Sequence, residues 1–107
     1  MEEINFEDWV KLDLRVGQII EVKDHPNANK LYILTVDVGE KIELVSGLKE
    51  QYTKEDLEDK MVIVLVNLAP KELRGVKSRG MVLAAVEGEK ISLLRPDKII
   101  KPGTKID

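Results

Sequence analysis

Three stretches of alternating apolar and polar residues constrain the fold of this chain more than any other feature. They are "LDLRVGQIIEVK" (12–23), "LYILTVDV" (31–38) and "KIELVSGL" (41–48), separated by the turn-rich "DHPNANK" and by Gly39-Glu40. Alternation with a period of two places successive side chains on opposite faces of a strand, so each stretch predicts a half-buried β-strand. Gly17 interrupts the first strand, and a bulge or a sharp coil would be tolerated there. The predicted inward-facing residues of the first two strands are Leu14, Val16, Ile20 and Val22, then Tyr32, Leu34, Val36 and Val38.

The rest of the chain predicts two short helices and the remaining strands. A helix is expected from Phe6 to about Leu12 with Asn5 as N-cap, lying over the core as a lid, and a second one after the N-cap Thr53. "MVIVLVN" (61–67) is apolar on both faces and predicts a strand covered on two sides, by the barrel and a helix or by a partner subunit. "MVLAAV" and "ISLL", joined by "EGEK", predict a hairpin, and the tail from position 95 is expected to lie extended along an edge strand.

Three strands, a helix and two more strands within 107 residues predict one domain, residues 1–107. The arrangement matches an all-β fold, the five-stranded Greek-key OB-fold barrel, here with short helices and a C-terminal extension. An SH3-like barrel is the alternative. The position of the helix between the third and fourth strands favours the OB-fold.

The inventory of chemically reactive residues is poor. The chain has no cysteine and one histidine, His25, which precedes Pro26 in a turn and is predicted to cap or pack locally. It contains no G-x-S-x-G pattern, no P-loop and no dinucleotide-binding glycine motif. We therefore expect no catalytic residue, no metal and no cofactor. The acidic start "MEEINFEDWVK" resembles no secretory signal, and no apolar run is long enough to span a membrane, so a cytoplasmic protein is expected.

Positive charge is concentrated in one segment of an otherwise acidic chain. The basic segment, residues 67–81, carries Lys71, Arg74, Lys77 and Arg79 against Glu72, which gives +3. Because the whole chain has a net charge of −3, the remaining residues sum to −6. A basic surface loop on an acidic body limits where a polyanion can dock. We expect this loop, together with Lys30, to form one positive face on the barrel.

Aromatic residues that could stack on bases are scarce. Phe6 and Trp9 are predicted to belong to the core, and Tyr32 and Tyr52 are each more easily explained by packing. Single-stranded nucleic acid is commonly bound by aromatic stacking, whereas folded RNA is recognised by shape, phosphate and ribose. The composition of the basic segment thus favours a structured RNA. Ser78 could donate a hydrogen bond to a phosphate or a 2′-hydroxyl.

Three separated segments resemble one known family. "LDLRVGQIIEVKDHPNANKLYILTVDVG", "ELVSGL" and "NLAPKELRGVKSRGMVLAA" are similar, in order and spacing, to the tRNA-binding domain at the C-terminus of methionyl-tRNA synthetases. The resemblance covers residues 8 to 107 or so. It implies an OB-fold with a C-terminal extension, tRNA binding with little regard to sequence, and homodimers in many members. Where many members have Asp and Gln, this chain has Asn29 and Arg79, which makes the face more positive.

The resemblance also implies a set of RNA-facing residues. Carried over position by position, the family's RNA-facing residues are Asn27, Lys30, Ser46, Asn67, Arg74, Ser78 and Met81. The charge argument adds Lys71, Lys77 and Arg79. The partners implied are tRNA, a second copy of the chain, and the catalytic region of a methionyl-tRNA synthetase in cis or in trans, whose tRNA affinity the domain would raise. A free-standing tRNA-binding protein and a protein-export chaperone of the same fold remain as alternatives.

Overall fold

A computed structural model describes residues 1–107. The chain contains two helices, α1 (Phe6–Trp9) and α2 (Lys54–Leu57). The first four strands are β1 (Leu14–Asp24), β2 (Tyr32–Asp37), β3 (Lys41–Ser46) and β4 (Met61–Leu65). The remaining strands are β5 (Lys71–Leu73), β6 (Val76–Ser78), β7 (Met81–Val82), β8 (Ala84–Glu87) and β9 (Lys90–Leu93).

Five strands form an antiparallel sheet in the order β3-β2-β1-β4-β7. The long strand β1 pairs with β4 through residues 14–18 and with β2 through residues 18–24. The sheet curls into a nearly closed barrel, and the gap between its ends is bridged where the Arg79 N–H donates to the Glu43 carbonyl at 3.0 Å. The predicted all-β, OB-type barrel is confirmed.

The C-terminal tail completes the free edge of β1. The Val16 N–H donates to the Thr104 carbonyl at 2.9 Å, and the Gly103 N–H donates to the Val16 carbonyl at 2.8 Å. An isolated antiparallel bridge joins Arg15 to Lys105. The tail therefore lies along a strand as expected, but the strand is β1 at the centre of the sheet and not an edge strand; the tail pairs with the first half of β1, which β2 leaves uncovered.

The predicted alternation holds in β2 and fails in the middle of β1. Leu14, Val16 and Val22 are buried as predicted, but Ile19 is buried in place of Ile20, which is 41% exposed. Gly17 and Ile19 already face the barrel interior, and the bulge between Ile19 and Glu21 then returns an even-numbered position, Val22, to that side. The prediction of an inward Ile20 is thus wrong, and the bulge lies after Gly17.

Gly17 instead allows close packing inside the barrel. A Cβ at this position would lie 2.7 Å from the Val36 Cγ1 and 3.1 Å from the Val64 Cγ2. Val36 and Val64 are both fully buried. Glycine is required here because side chains of the two neighbouring strands, β2 and β4, fill the space into which a Cβ would point.

The two helices differ in how they relate to the core. Helix α2 has the predicted cap: the Thr53 side chain accepts from the Asp56 N–H and the Asp56 carboxylate accepts from the Thr53 N–H, at 3.1 Å each. Its Leu57 is fully buried. Helix α1 buries no residue, and Phe6 is 74% exposed. The expectation that α1 is a lid that buries Phe6 in the core is wrong, because this helix has only one turn and lies outside the barrel.

Strand β4 is covered completely on one face only. Val62 and Val64 are buried, whereas Met61, Ile63 and Leu65 are half-buried. The expectation that both faces of this strand are covered is therefore met in part within a single chain. Strands β8 and β9 form the predicted hairpin as a separate two-stranded sheet.

Candidate nucleic-acid interface

The basic segment forms a β-hairpin rather than an open loop. Strands β5 and β6 pair in register, with Leu73 opposite Val76, and Arg74 and Gly75 form the two-residue turn. Both turn residues have positive φ, 53° for Arg74 and 87° for Gly75. Positive φ at both central residues is the requirement of a type I′ turn, the usual connection in two-residue hairpins. We call residues 71–78 the basic hairpin.

Four hydrogen bonds attach the basic hairpin to the barrel. At its base, the Val45 N–H donates to the Ser78 Oγ at 2.9 Å, and the neighbouring Arg79 N–H bonds to β3. At its tip, the His25 Nε2 lies 2.9 Å from the Leu73 carbonyl oxygen and the Asn27 Nδ2 donates to the Arg74 carbonyl at 3.1 Å. The hairpin therefore spans from β3 to the loop of residues 25–31.

The cations of this region fall into two groups. Lys71, Arg74 and Lys77 are exposed and take part in none of the ion pairs of the structure. Lys30 pairs with Glu50 at 3.2 Å, and Arg79 pairs with Glu40 at 2.9 Å. The basic hairpin thus carries all of the unpaired positive charge among the five predicted cations.

The predicted site residues do not all lie together. One shallow depression is lined by Asn27, Lys30 and Arg74, so the 25–31 loop and the hairpin tip meet as expected. Arg79 lines a separate, larger cleft with Asn67, because it follows β6 at the opposite end of the hairpin. Lys30 and Arg74 thus lie together as expected, whereas Arg79 lines a different cleft.

Two of the predicted RNA-facing residues, the buried Ser78 and the exposed Asn67, have side chains that hydrogen-bond to the protein backbone. Ser78 is only 6% exposed and its hydroxyl accepts from β3, so it anchors the hairpin instead of facing RNA. The Asn67 Nδ2 donates to the Lys11 carbonyl at 2.7 Å, and its Oδ1 accepts from the Asp13 N–H at 2.9 Å. Asn67 thereby attaches the segment before β1 to the end of β4.

Comparison with known proteins places the chain in a family. The family model described as "Putative tRNA binding domain" matches residues 14–105. This chain belongs to the tRNA-binding domain family. It is 60% identical, over 107 residues, to the methionine–tRNA ligase of Pyrococcus horikoshii, and the match covers 99% of this chain and 15% of that protein. The domain therefore spans about one seventh of the relative's length.

Two solved structures resemble the tRNA-binding domain along nearly its whole length. A MetRS related protein from Pyrococcus horikoshii superposes with a TM-score of 0.91 at 31% identity, covering 99% of each chain. A CsaA chaperone protein from Picrophilus torridus superposes with a TM-score of 0.90 at 35% identity, covering 98% of this chain and 100% of that one. The domain is thus related both to methionyl-tRNA synthetases and to CsaA proteins, and it is an accessory, non-catalytic domain.

The larger cleft of the tRNA-binding domain is electrically balanced. Arg15 donates to Asp13 through Nε at 2.8 Å and through Nη2 at 3.1 Å, and this guanidinium lowers the pKa of the Asp13 carboxyl. Arg79 on the same cleft is neutralised by Glu40. Because each guanidinium has its own carboxylate, this cleft offers a polyanion less than the basic hairpin does.

The remaining predicted residues, Ser46 and Met81, line neither of the depressions beside the basic hairpin. Ser46, at the end of β3, is half-buried and pairs with Tyr32 in the sheet. Met81, at the start of β7, is 44% exposed and is not part of the core.

No three His, Cys, Asp or Glu side chains lie close enough to hold a metal ion. None of the domain's helices has the length and apolar character needed to cross a membrane.

Sequence reasoning missed the acidic partners of this surface. Glu50 and Glu40 lie outside the basic segment, 20 and 39 positions from the cations they neutralise, so no local pattern links them to Lys30 and Arg79. His25 was predicted only to pack or cap locally, and this is confirmed by the 3.0 Å bond that its Nδ1 accepts from the Asn27 N–H. Its second bond, to Leu73 in the hairpin, could not be read from sequence neighbours.

Proposed function

We propose that this domain binds tRNA by contacting phosphates with the basic hairpin and the 25–31 loop, without reading base sequence. The observation that carries the proposal is the set of three exposed cations, Lys71, Arg74 and Lys77, that have no carboxylate partner. Cations without internal partners can neutralise phosphates at no cost in broken ion pairs. Lys30 and Arg79 would first have to leave Glu50 and Glu40, so they are weaker candidates.

The conformation of Arg74 gives independent support. A non-glycine residue with positive φ is strained, and asparagine or glycine is favoured at this position of a type I′ turn. Arg74 has φ 53° with its side chain in solvent, where nothing in the fold requires arginine. Such strain is concentrated at functional sites in proteins. A guanidinium at a hairpin tip can reach a phosphate and bind it with two parallel hydrogen bonds.

Recognition by shape is favoured over base stacking because the surroundings of the hairpin lack aromatic rings. The depressions beside the hairpin are lined by Asn27, Ala28, Asn29, Lys30, Leu31, Arg74, Pro70, Lys71, Glu72 and Lys77. Tyr32 is buried and its hydroxyl donates to the Tyr52 carbonyl at 2.8 Å. A surface of lysine, arginine and asparagine suits phosphate and ribose contacts with a folded RNA.

In a synthetase, such a domain would act as a tether. We propose that it raises the tRNA affinity of a methionyl-tRNA synthetase catalytic region, in cis or in trans, by keeping tRNA at high local concentration. The effect would fall on affinity more than on turnover. A free-standing protein would bind tRNA through the same hairpin. We place this activity in the cytoplasm.

We propose in addition that the domain functions as a homodimer. Ile99 in the C-terminal tail is 95% exposed, and the outer face of β4 is only half-buried. Two-fold assembly through such apolar surface would place two basic hairpins on one particle and increase avidity for tRNA. Sedimentation at micromolar concentration tests this, and a monomer would discard the dimer.

A chaperone-like activity is the second candidate function. The similarity to a CsaA chaperone protein favours it, and so do the apolar residues exposed in the N-terminal segment, Ile4, Phe6 and Val10. A peptide site of this kind would be apolar and insensitive to salt. If an unfolded polypeptide competes with tRNA, or binds with no salt dependence while tRNA does not bind, the chaperone function is preferred.

The experiment that tests tRNA binding uses two charge-matched double variants. Lys71→Ala/Lys77→Ala removes two cations from the basic hairpin, and Lys90→Ala/Lys98→Ala removes two exposed cations elsewhere. We measure tRNA binding to each across a salt series. Three to five phosphate contacts give a slope of log K against log salt of about −2 to −4, and loss of two contacts reduces its magnitude by about 2.

The hairpin variant should lose affinity and salt dependence, while the control variant should behave as the unmodified domain. Equal losses in the two variants would mean that tRNA responds only to net charge, and the proposed site would be abandoned. Equal affinity for unstructured RNA of the same length would refute recognition by shape.

A further inference from the structure

The single histidine of the chain joins the two parts of the proposed RNA site. His25 is only 5% exposed, and both of its ring nitrogens have hydrogen-bond partners. Nδ1 accepts from the Asn27 N–H at 3.0 Å within the 25–31 loop. Nε2 lies 2.9 Å from the Leu73 carbonyl oxygen, 48 positions away in strand β5.

The two partners determine the tautomer. A backbone N–H can only donate, so Nδ1 must carry a lone pair, and a carbonyl oxygen can only accept, so Nε2 must carry the proton. His25 is therefore neutral with the proton on Nε2. In either other protonation state, a hydrogen on Nδ1 would point at the Asn27 N–H and that bond would be lost.

A second bond between the same segments adds to the first. The Asn27 Nδ2 donates to the Arg74 carbonyl at 3.1 Å, next to the Leu73 carbonyl that His25 holds. The backbone of two consecutive hairpin residues is thus bonded to the loop that contains His25 and Asn27. This leaves the Arg74 side chain free while its backbone is fixed beside Asn27 and Lys30.

We propose that His25 is a positioning residue for tRNA binding: its Nε2–H holds the tip of the basic hairpin against the 25–31 loop so that Arg74 is presented to phosphate. The proposal rests on the proposed tRNA function. His25 itself is buried and contacts no RNA. Its effect passes through the hairpin backbone to Arg74.

Two conservative variants separate the two bonds. In His25→Gln, the side-chain NH₂ lies near the position of Nε2 and can still donate to the Leu73 carbonyl. In His25→Asn, the side-chain oxygen lies near the position of Nδ1, so the loop bond is kept and the hairpin bond is lost. We expect tRNA affinity within about twofold of the unmodified domain for Gln and about tenfold weaker for Asn, as for loss of one hydrogen bond at a site where orientation decides binding.

Arg74→Ala and the double variant His25→Asn/Arg74→Ala complete the test. If His25 acts through Arg74, the double variant binds tRNA no more weakly than Arg74→Ala alone. Additive losses, or equal losses in Gln and Asn, would overturn the positioning role. If Arg74→Ala weakens binding while both His25 variants bind normally, the hairpin site stands and the proposal fails. If Arg74→Ala binds normally, the proposed site itself fails.

A spectroscopic measurement keeps the test independent of variant folding. Because the domain has one histidine, imidazole ¹⁵N signals of ¹⁵N-histidine-labelled domain at pH 7.5 belong to His25 alone. We expect a protonated Nε2 and an unprotonated Nδ1, with the Nε2 proton protected from exchange with water. A proton on Nδ1, or a rapidly exchanging Nε2 proton, would overturn the proposal.

Discussion

Replacement of Arg74 by asparagine should stabilise the fold and weaken tRNA binding at the same time. Arg74 occupies the first turn position of the basic hairpin with φ 53°. A left-handed backbone costs a typical residue roughly 1–2 kcal/mol, and asparagine tolerates it better than most other residues. Since Asn-Gly is the preferred pair for a type I′ turn, we expect Arg74→Asn to raise the free energy of unfolding by about 0.5–1 kcal/mol.

The same change removes the cation that is best placed for phosphate. The Arg74 carbonyl would still accept from Asn27, so the position of the tip is kept while the guanidinium is lost. Loss of one charge-assisted contact costs about 1–3 kcal/mol of binding, or about thirtyfold in affinity at the middle of that range. Stability and affinity should therefore change in opposite directions.

Thermal unfolding followed by circular dichroism and filter binding of tRNA measure the two effects. A gain of this size raises Tm by about 3–6 °C in a domain of this length. Lys77→Asn is the matched control, because it removes one charge from a strand position of the same hairpin, where asparagine brings no gain in stability. If Arg74→Asn lowers Tm, the strain argument is wrong. If it leaves tRNA affinity unchanged, Arg74 is outside the site.

Three further predictions concern the barrel. Gly17→Ala would bring a Cβ within 2.7 Å of the Val36 Cγ1, and we expect the free energy of unfolding, measured by chemical denaturation, to fall by about 1–3 kcal/mol; a neutral result would mean that the neighbouring valine side chains move aside easily. Thr53→Ala removes the cap of α2 and should cost about 1 kcal/mol, whereas Thr53→Ser should cost little. The pKa of the Asp24 carboxyl is lowered by hydrogen bonds from Lys49 and Lys54. The contribution of Asp24 to stability is therefore complete above the unfolded-state pKa of about 3.9, and it is lost as the pH falls through the lower folded-state pKa. Asp24→Asn should therefore be less stable than the unmodified domain at pH 7, and the difference should decrease as the pH falls below the unfolded-state pKa of about 3.9; a difference that does not decrease in acid would contradict this.

Much of the barrel could be predicted because its signals are local. The alternation in β2 and the capping box of α2 depend on neighbours within a few residues, and both are present as predicted. The faces of Ile19 and Ile20 in β1 could not be predicted, since the position of a bulge depends on the partner strand and one extra residue changes which side chains face the core. The exposure of Phe6 has a similar origin, because no local pattern says whether a one-turn helix docks on the barrel.

The candidate site was predicted in composition more than in geometry. Charge clustering identified Lys71, Arg74 and Lys77, which carry the unpaired charge of the surface. The hairpin itself was missed, because its strands have only three residues each and carry no clear alternation. The dipeptide Arg74-Gly75 was the feature of the sequence that could have indicated the hairpin turn. Pairing of Arg79 with Glu40 depends on the closure of the barrel, which sequence spacing does not reveal.

The most direct test of the account is to locate tRNA on the domain by backbone amide NMR. A titration of ¹⁵N-labelled domain with tRNA is predicted to shift or broaden signals of the basic hairpin, residues 71–78, and of the 25–31 loop. Signals of α1 and of the β8–β9 hairpin should stay unchanged. If the perturbations fall instead on the N-terminal segment or on β8–β9, while the basic hairpin is unaffected, the hairpin does not bind tRNA and the account is wrong.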